Sequence, residues 1–441
     1  MPGVRPSCAI LLYGLLTVLG VTQAFRTVCY YDGKALWRKD VVKVGVDELK
    51  PILNNCTHLV YGYAGIDHEK FTAKSLNPKL DLPESKDVKG GNFKSITSLK
   101  TEFPHLTILL SVGGDADYEK PEKYLDTLNK PYSRTEFAST VSEMAKAYGF
   151  DGIDLAWQFP VITEKKEKYS WSSIVHKIAK TVGISGNIDT KEAEHKEQFT
   201  ALVREVKGVL NANNCSYLSV SILPHVNITA YFDFPGLQKY VDHYTLMVYD
   251  FRNPFRVPNL ADHASPSVFV YADRVVEQNI EWRVNKTLEL GIERNKMVLG
   301  IATFGRTWKL DAITDKTGTP PLKADGPADA GTYTKTEGLL AYYEICPHLV
   351  ESTQAVTSLT MFSRNPDSKK ILGTYAFRLP NHNDKGIWIS FEEPETAKQK
   401  ATYVKSNNFG GLALLDLSMD DARGLCNGNK YPILKAVKTV F

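Results

Sequence analysis

Eight short runs of β-branched and aromatic residues, spread over nearly the whole chain, restrict its fold more than any other feature. They are TVCYY (27–31), HLVYGYA (58–64), TILLSV (107–112), GIDLAW (152–157), YLSVSIL (217–223), YTLMVYD (244–250), MVLGIA (297–302) and GLALLDL (411–417). Most are close to continuously apolar, the pattern of strands covered on both faces. Longer stretches of helical periodicity separate them; in 137–150, Phe137, Val141, Met144 and Tyr148 fall on one stripe. Eight strands alternating with helices predict an α/β fold, a closed TIM (β/α)8 barrel.

Two intervals are too long for a bare barrel. Between the fourth and fifth runs, 161–197 is rich in lysine and glutamate and reads as a solvated helix or lid. Between the seventh and eighth lie about 80 residues with apolar runs of their own, GLLAYYEICPHL and ILGTYAFRL, enough for a small inserted α+β domain. The expected division is a leader at 1–24, a barrel at 25–305 and 389–441 with the extra insert at 161–197, and the inserted domain at 306–388.

The leader reads as a signal peptide. One positive charge, Arg5, precedes the apolar run CAILLYGLLTVLGV, which has the length of a signal core and is short for a bilayer span. Thr22-Gln23-Ala24 fits a peptidase site, which makes Phe25 the first mature residue. No later run is apolar and long enough for a transmembrane helix, so the protein is expected to be secreted, and a monomer. Its 53 basic and 50 acidic residues nearly balance, which argues against nucleic acid or an anionic membrane as main partner.

Secretion changes how the cysteines read. With Cys8 lost in the leader, Cys29, Cys56, Cys215, Cys346 and Cys426 remain. An odd number in an oxidising compartment means bridges and one leftover thiol. None sits at C-x-x-C spacing and no histidines cluster beside them, so no metal or cofactor is expected. Sequons occur at Asn55, Asn214, Asn227 and Asn285. Asn227, in the polar run HVNIT, is the preferred glycosylation site; Asn55 and Asn214 have cysteine as the middle residue and, with Asn285, rank below it.

The fourth run, FDGIDLAWQFP, carries the chemistry. Side chains alternate along a strand, so Asp154, Ala156 and Gln158 share a face, with successive Cα atoms roughly 7 Å apart. In a barrel the last inward position sits at the carboxyl-end mouth, where active sites lie. The run resembles the signature of family 18 glycoside hydrolases (chitinases), D-x-x-D-x-D-x-E with a following aromatic and proline. Asp151 and Asp154 match its first two acids; Ala156 and Gln158 stand in place of the third acid and the catalytic glutamate. Ser111-Val112-Gly113-Gly114, Met247-Val248-Tyr249-Asp250-Phe251 and Gly305-Arg306-Thr307 resemble three further motifs of that family, so the likeness spans the mature chain. It implies bridges Cys29–Cys56 and Cys346–Cys426, with Cys215 free.

The family cleaves β-1,4-linked N-acetylglucosamine with help from the substrate's own acetamido group, outside the usual two-carboxylate scheme. Its glutamate gives the leaving oxygen a proton, and its neighbouring aspartate orients the acetamido group. Gln158 can donate a hydrogen bond but cannot surrender a proton near neutral pH, and loss of general-acid help costs about 10²–10⁴-fold. With Ala156 the orienting carboxylate is gone too, so the resemblance implies no catalysis. The remaining acids, Asp151 and Asp154, are expected deep in the barrel in structural roles.

Met247, Tyr249, Asp250, Arg306 and Gln158 are the residues that could still hold a chitin-type oligosaccharide. Against this, Leu415 occupies the place where the family floors its subsite with tryptophan. Glutamine in the glutamate position, an insert after strand four and a leader together resemble the insect imaginal disc growth factors. That likeness implies a secreted, glycosylated, non-catalytic protein that promotes cell growth and supports matrix or cuticle. A cell-surface receptor or matrix protein would be its partner, with the 161–197 insert as a natural contact surface. A sugar-binding lectin without hydrolysis is the rival reading, and an active chitinase the least favoured.

Overall fold

A computed structural model describes residues 25–160, 189–268, 276–310, 318–351, 361–367, 372–381 and 384–441. The leader, residues 161–188 of the lysine-rich insert and parts of the inserted domain lie outside these. All eight predicted strands form. In chain order they are β1 (Arg26–Asp32), β2 (His58–Ile66), β3 (Thr107–Gly113), β4 (Gly152–Ala156), β5 (Tyr217–Ile222), β6 (His243–Leu246), β7 (Met297–Ala302) and, after the inserted sheet, β15 (Gly411–Leu415). Each pairs in parallel with its sequence neighbours, and β1 bonds both β2 and β15, so the sheet closes into the expected barrel.

The apolar pattern explains the closure. Ile153 and Leu155 of β4 are fully buried. Trp157, just past its end, meets the rings of Tyr124, Phe137 and Phe199 at centroid distances of 5.0–6.0 Å. Two of those rings come from the flanking helices α1 (Pro131–Tyr148) and α2 (Glu192–Ala212). On α1 the predicted stripe packs inward, with Phe137 and Val141 buried and Met144 and Tyr148 half-buried against the core. The helix starts on Pro131 and stops at Gly149, whose φ of 84° no β-carbon favours. Residues 192–197, read as insert, form the first turns of α2. His195, Phe199, Leu202, Val206 and Leu210 put one face of that helix against the barrel, and this periodicity sets where the helix begins.

Strand β6 is shorter than its sequence run. The ladder continues only as far as the bond from Met247 N to Ile222 O. By Asp250 the backbone has turned into the left-handed region, at φ 54°, which ends an extended strand.

Directly after β7 the chain enters a second sheet: β8 (Phe304–Leu310), β9 (Leu322–Pro327), β10 (Leu339–Ala341), β11 (Leu349–Glu351), β12 (Phe362–Asn365), β13 (Thr374–Arg378) and β14 (Gly386–Phe391). Its strands order β11-β12-β13-β14-β8-β9, with β10 also on β8 and the short strand Leu260–Ala261 on β9. Trp308, Leu310, Leu322, Ala324, Trp388 and Ala261 form a small core of its own. Two disulfides form, Cys29–Cys56 between β1 and the start of β2, and Cys346–Cys426 between the inserted sheet and the chain's last segment. Cys215 is free and buried.

Candidate functional site

The barrel interior is organised around Asp154. Its carboxylate accepts from Ser219 Oγ (2.7 Å), Ser111 Oγ (2.8 Å), Ser221 Oγ (3.0 Å) and Tyr30 Oη (3.3 Å), all buried. These partners are all neutral hydroxyls. Burial pushes its pKa up, and the serine and tyrosine hydroxyls hold it back. A carboxylate so enclosed is a hub that fixes four strands, and a poor proton donor to anything at the mouth. Strand five carried the signal for this shell. In an otherwise apolar run, YLSVSI places Ser219 and Ser221 two residues apart, hence on one face.

Asp151 is not deep in the barrel. It precedes β4, is one-third exposed, and takes a 2.7 Å ion pair from Lys100 Nζ while accepting from Ile108 N at 2.7 Å. Its place at the amino end of the strand puts it at the face opposite the mouth, so it is a surface clamp between β3 and β4 and takes no part in the interior.

Gln158 follows β4 by two residues. Its Nε2 donates to Gly114 O (2.6 Å) and to Asp117 O (3.0 Å). Both protons of the amide are therefore spent on the turn after β3, Gly114–Asp117. That turn is braced from behind. Asp117 is buried, with Lys123 Nζ at 2.5 Å, Tyr124 Oη at 2.7 Å and Ile66 N at 3.1 Å. Ala156 is buried between them, and a β-carbon at Gly114 would lie 3.5 Å from its methyl. Where a catalytic pair would stand, the chain has a methyl group and an occupied amide.

Residues after β6 and on β7 and β15 pack together at the mouth. Tyr249 and Met247 are buried, and Leu415 is buried beside them. A β-carbon at Gly300 would meet Leu415 Cδ1 and Tyr249 Cε1, each at 3.2 Å, so both side chains crowd over that glycine. Tyr249 is also edge-on to Phe304 at 5.8 Å, and burial raises its hydroxyl pKa well above the ordinary value. Asp250 and Arg306 are bonded to each other: Arg306 Nε donates to Asp250 Oδ1 at 2.8 Å and Nη2 to Oδ2. Burial works against the guanidinium charge, but Asp250 outweighs it and holds the Arg306 pKa above its usual value. The cavity bounded by Tyr249, Asp250, Phe304, Arg306 and Glu392 measures about 10 Å³, room for about one water.

Two further carboxyls missed by sequence reasoning sit at the ends of β1 and β15. Asp416 is buried and pushed up to about 6, first by desolvation and then by Asp32, with Arg38 and Ser418 opposing. Asp32 is raised by the same burial. Ser418 Oγ donates to Asp416, and Arg38 Nη1 reaches Ser418 O at 2.6 Å. Among the described residues the one grouping of metal-ligand types is Cys346, Asp421 and Cys426. Both sulfurs are in the disulfide, and Asp421 accepts from Leu425 N and Cys426 N, so these residues do not fit an ion.

Comparison with known proteins agrees with this architecture. The family model for glycosyl hydrolases family 18 matches residues 26–420. The chain is 44% identical to chitinase-like protein EN03 of Bombyx mori over 435 residues, covering 97% of this chain and 98% of that one. It is 41% identical to imaginal disk growth factor 6 of Drosophila melanogaster over 422 residues, 93% of this chain and 92% of the other. The group IV chitinase of Ostrinia furnacalis superposes with a TM-score of 0.75 at 29% identity, over 95% of this chain and 99% of that structure. The chain belongs to glycoside hydrolase family 18, among the chitinase-like proteins of the imaginal disc growth factor group.

Proposed function

We propose that the protein is a secreted, non-catalytic growth factor that promotes cell growth and supports matrix or cuticle, with the barrel as its scaffold. One observation carries this: the amide of Gln158 is committed to Gly114 O and Asp117 O, beside Ala156, so positions 156 and 158 supply neither a proton donor nor an acetamido-orienting carboxylate. The crowding of Tyr249 and Leu415 and the Asp250–Arg306 pair support it, because groups that would contact a sugar are satisfied within the protein. The names of the chitinase-like and growth-factor relatives point the same way. Two disulfides and the leader support secretion. The test is to add the purified protein to cultured insect cells with and without excess N-acetylglucosamine oligomers. Dose-dependent growth that the sugars leave unchanged is expected; growth abolished by the sugars, or none at any dose, would overturn the reading.

A second reading, a chitin-type lectin, is favoured by exposed aromatics on three loops that follow barrel strands: Trp37 after β1, Tyr118 after β3 and Phe255 after β6. These lie on the mouth side, where rings can stack on sugar faces. Calorimetric titration with oligomers of increasing length separates the two readings. Affinity that rises with length, without cleavage, favours the lectin; absence of heat favours the scaffold.

A further inference from the structure

We infer that Asn285 carries an N-linked glycan whose first N-acetylglucosamine lies in a groove beside Trp282. The inference rests on the secretory reading above and adds a site to it. The sequence here is Trp282-Arg283-Val284-Asn285-Lys286-Thr287, on α3 (Ile280–Glu289). A three-residue spacing places Trp282 and Asn285 on one helical face. Asn285 is exposed and Trp282 half-buried. Val276, Asn279, Trp282, Asn285, Lys286 and Glu289 line a cavity of about 360 Å³, a size that accepts a sugar ring.

The groove is built rather than incidental. Asn279, buried, caps α3 by accepting from Trp282 N at 2.8 Å, and its Nδ2 donates to Val276 O at 2.7 Å. One side chain thus ties the backbone of Trp282 to that of Val276, whose exposed side chain lines the groove. Lys286 and Glu289 pair at 3.1 Å along the rim, offering polar partners to sugar hydroxyls. An indole floor with a polar rim is the surface that the apolar face of a pyranose ring packs on.

The order of events is set by Thr287. Its hydroxyl is buried and donates to Arg283 O at 2.7 Å, so the sequon is readable only before α3 forms. In that step Asn285 Nδ2 displaces the pyrophosphate of a lipid-linked oligosaccharide donor. The bond from nitrogen to the sugar C1 forms, the C1–oxygen bond breaks, and the amide loses one proton. Folding then leaves Asn285 outward with room for the product. Asn227 also keeps its Nδ2 free, since only its Oδ1 is held, by Thr229 N and Ala230 N; what sets Asn285 apart is the groove lined by Trp282 beside it.

The test uses the full chain expressed in cultured insect cells, with medium and lysate analysed separately. Peptide N-glycosidase treatment in heavy-oxygen water converts an occupied Asn285 to a labelled aspartate, read by mass spectrometry. Occupancy in the secreted protein is expected. Deglycosylation should also lower Tm by about 0.5–2 °C relative to the same treatment of Asn285→Gln, and that difference should vanish in Trp282→Ala. Secreted protein with Asn285 unmodified would overturn the inference while leaving secretion standing. Occupancy with an equal Tm change in Trp282→Ala would refute the seat. A chain that stays in the cytosol without glycan would sink both readings.

Discussion

Restoring the family's glutamate at position 158 tests whether this residue is a vestige or a structural part. Gln158 Nε2 satisfies two backbone carbonyls, at 2.6 and 3.0 Å. An ionised glutamate has no proton to offer either of them and sets its charge against two carbonyl dipoles. Losing two hydrogen bonds of roughly 0.5–1.5 kcal/mol each, plus that repulsion, gives about 2–4 kcal/mol for Gln158→Glu. The cost depends on pH. A protonated carboxyl recovers one of the two bonds, so the folded state holds the proton more tightly and the pKa of the introduced side chain rises above its unfolded value of about 4.3. A raised folded pKa favours the fold at low pH and loses that contribution as pH increases through it. The deficit should therefore be smallest near pH 4 and complete by neutral pH. Denaturant titrations at pH 4.5 and 8 measure it, each against the parent at the same pH. The double variant Ala156→Asp, Gln158→Glu should still fail to hydrolyse a fluorogenic N-acetylglucosamine oligomer, because Tyr249 and Leu415 still crowd over Gly300 and Arg306 still holds Asp250. Equal stability of parent and Gln158→Glu at pH 8, or turnover by the double variant, would refute the reasoning.

Other expectations follow from the same contacts. Asp154→Ala strands four hydroxyls and should cost about 3 kcal/mol or more; Asp154→Asn, which keeps an acceptor, should cost less, as urea titration would show. His58 is neutral in the fold, because burial first and Arg26 second lower its pKa from 6.5 to about 3. The unfolded chain alone takes up that proton, so stability is full above about pH 6.5 and declines by about 3 kcal/mol by pH 4. His58→Gln, which keeps a partner for Thr57 Oγ1, should flatten the measured slope by about one proton. Removing the Cys346–Cys426 bridge, which closes 80 residues, should cost about 4.5 kcal/mol by the chain-entropy model, whereas Cys215→Ser should leave the non-reducing electrophoretic pattern unchanged.

The barrel is legible in the sequence because its strands are buried on both faces and their apolar runs are nearly unbroken, a pattern that survives without any knowledge of neighbours. The departures have local causes. Strand β6 stops early because Asp250 takes a left-handed conformation, and no residue type announces that for an aspartate. The insert reads as too long because the charged exterior of α2 hides an inward stripe that starts at His195. Asp151 reads as interior because a motif fixes spacing and not depth, and one residue before a strand is enough to reach the far rim.

The site divides the same way. Its chemistry is readable, since no arrangement lets an amide yield a proton near pH 7. What replaced the chemistry is not, because it lies in partners contributed from far along the chain. Gln158 closes on a turn 41–44 residues earlier, and Asp250 closes on Arg306 from 56 residues later. In an active enzyme polar groups at a mouth stay open for substrate, at some cost in stability. Here those of Gln158 and the Asp250–Arg306 pair are turned inward and satisfied, so binding an oligosaccharide at this depth would have to break internal bonds before making new ones. That asymmetry favours the outer surface of the barrel, not its centre, as the part that meets a partner.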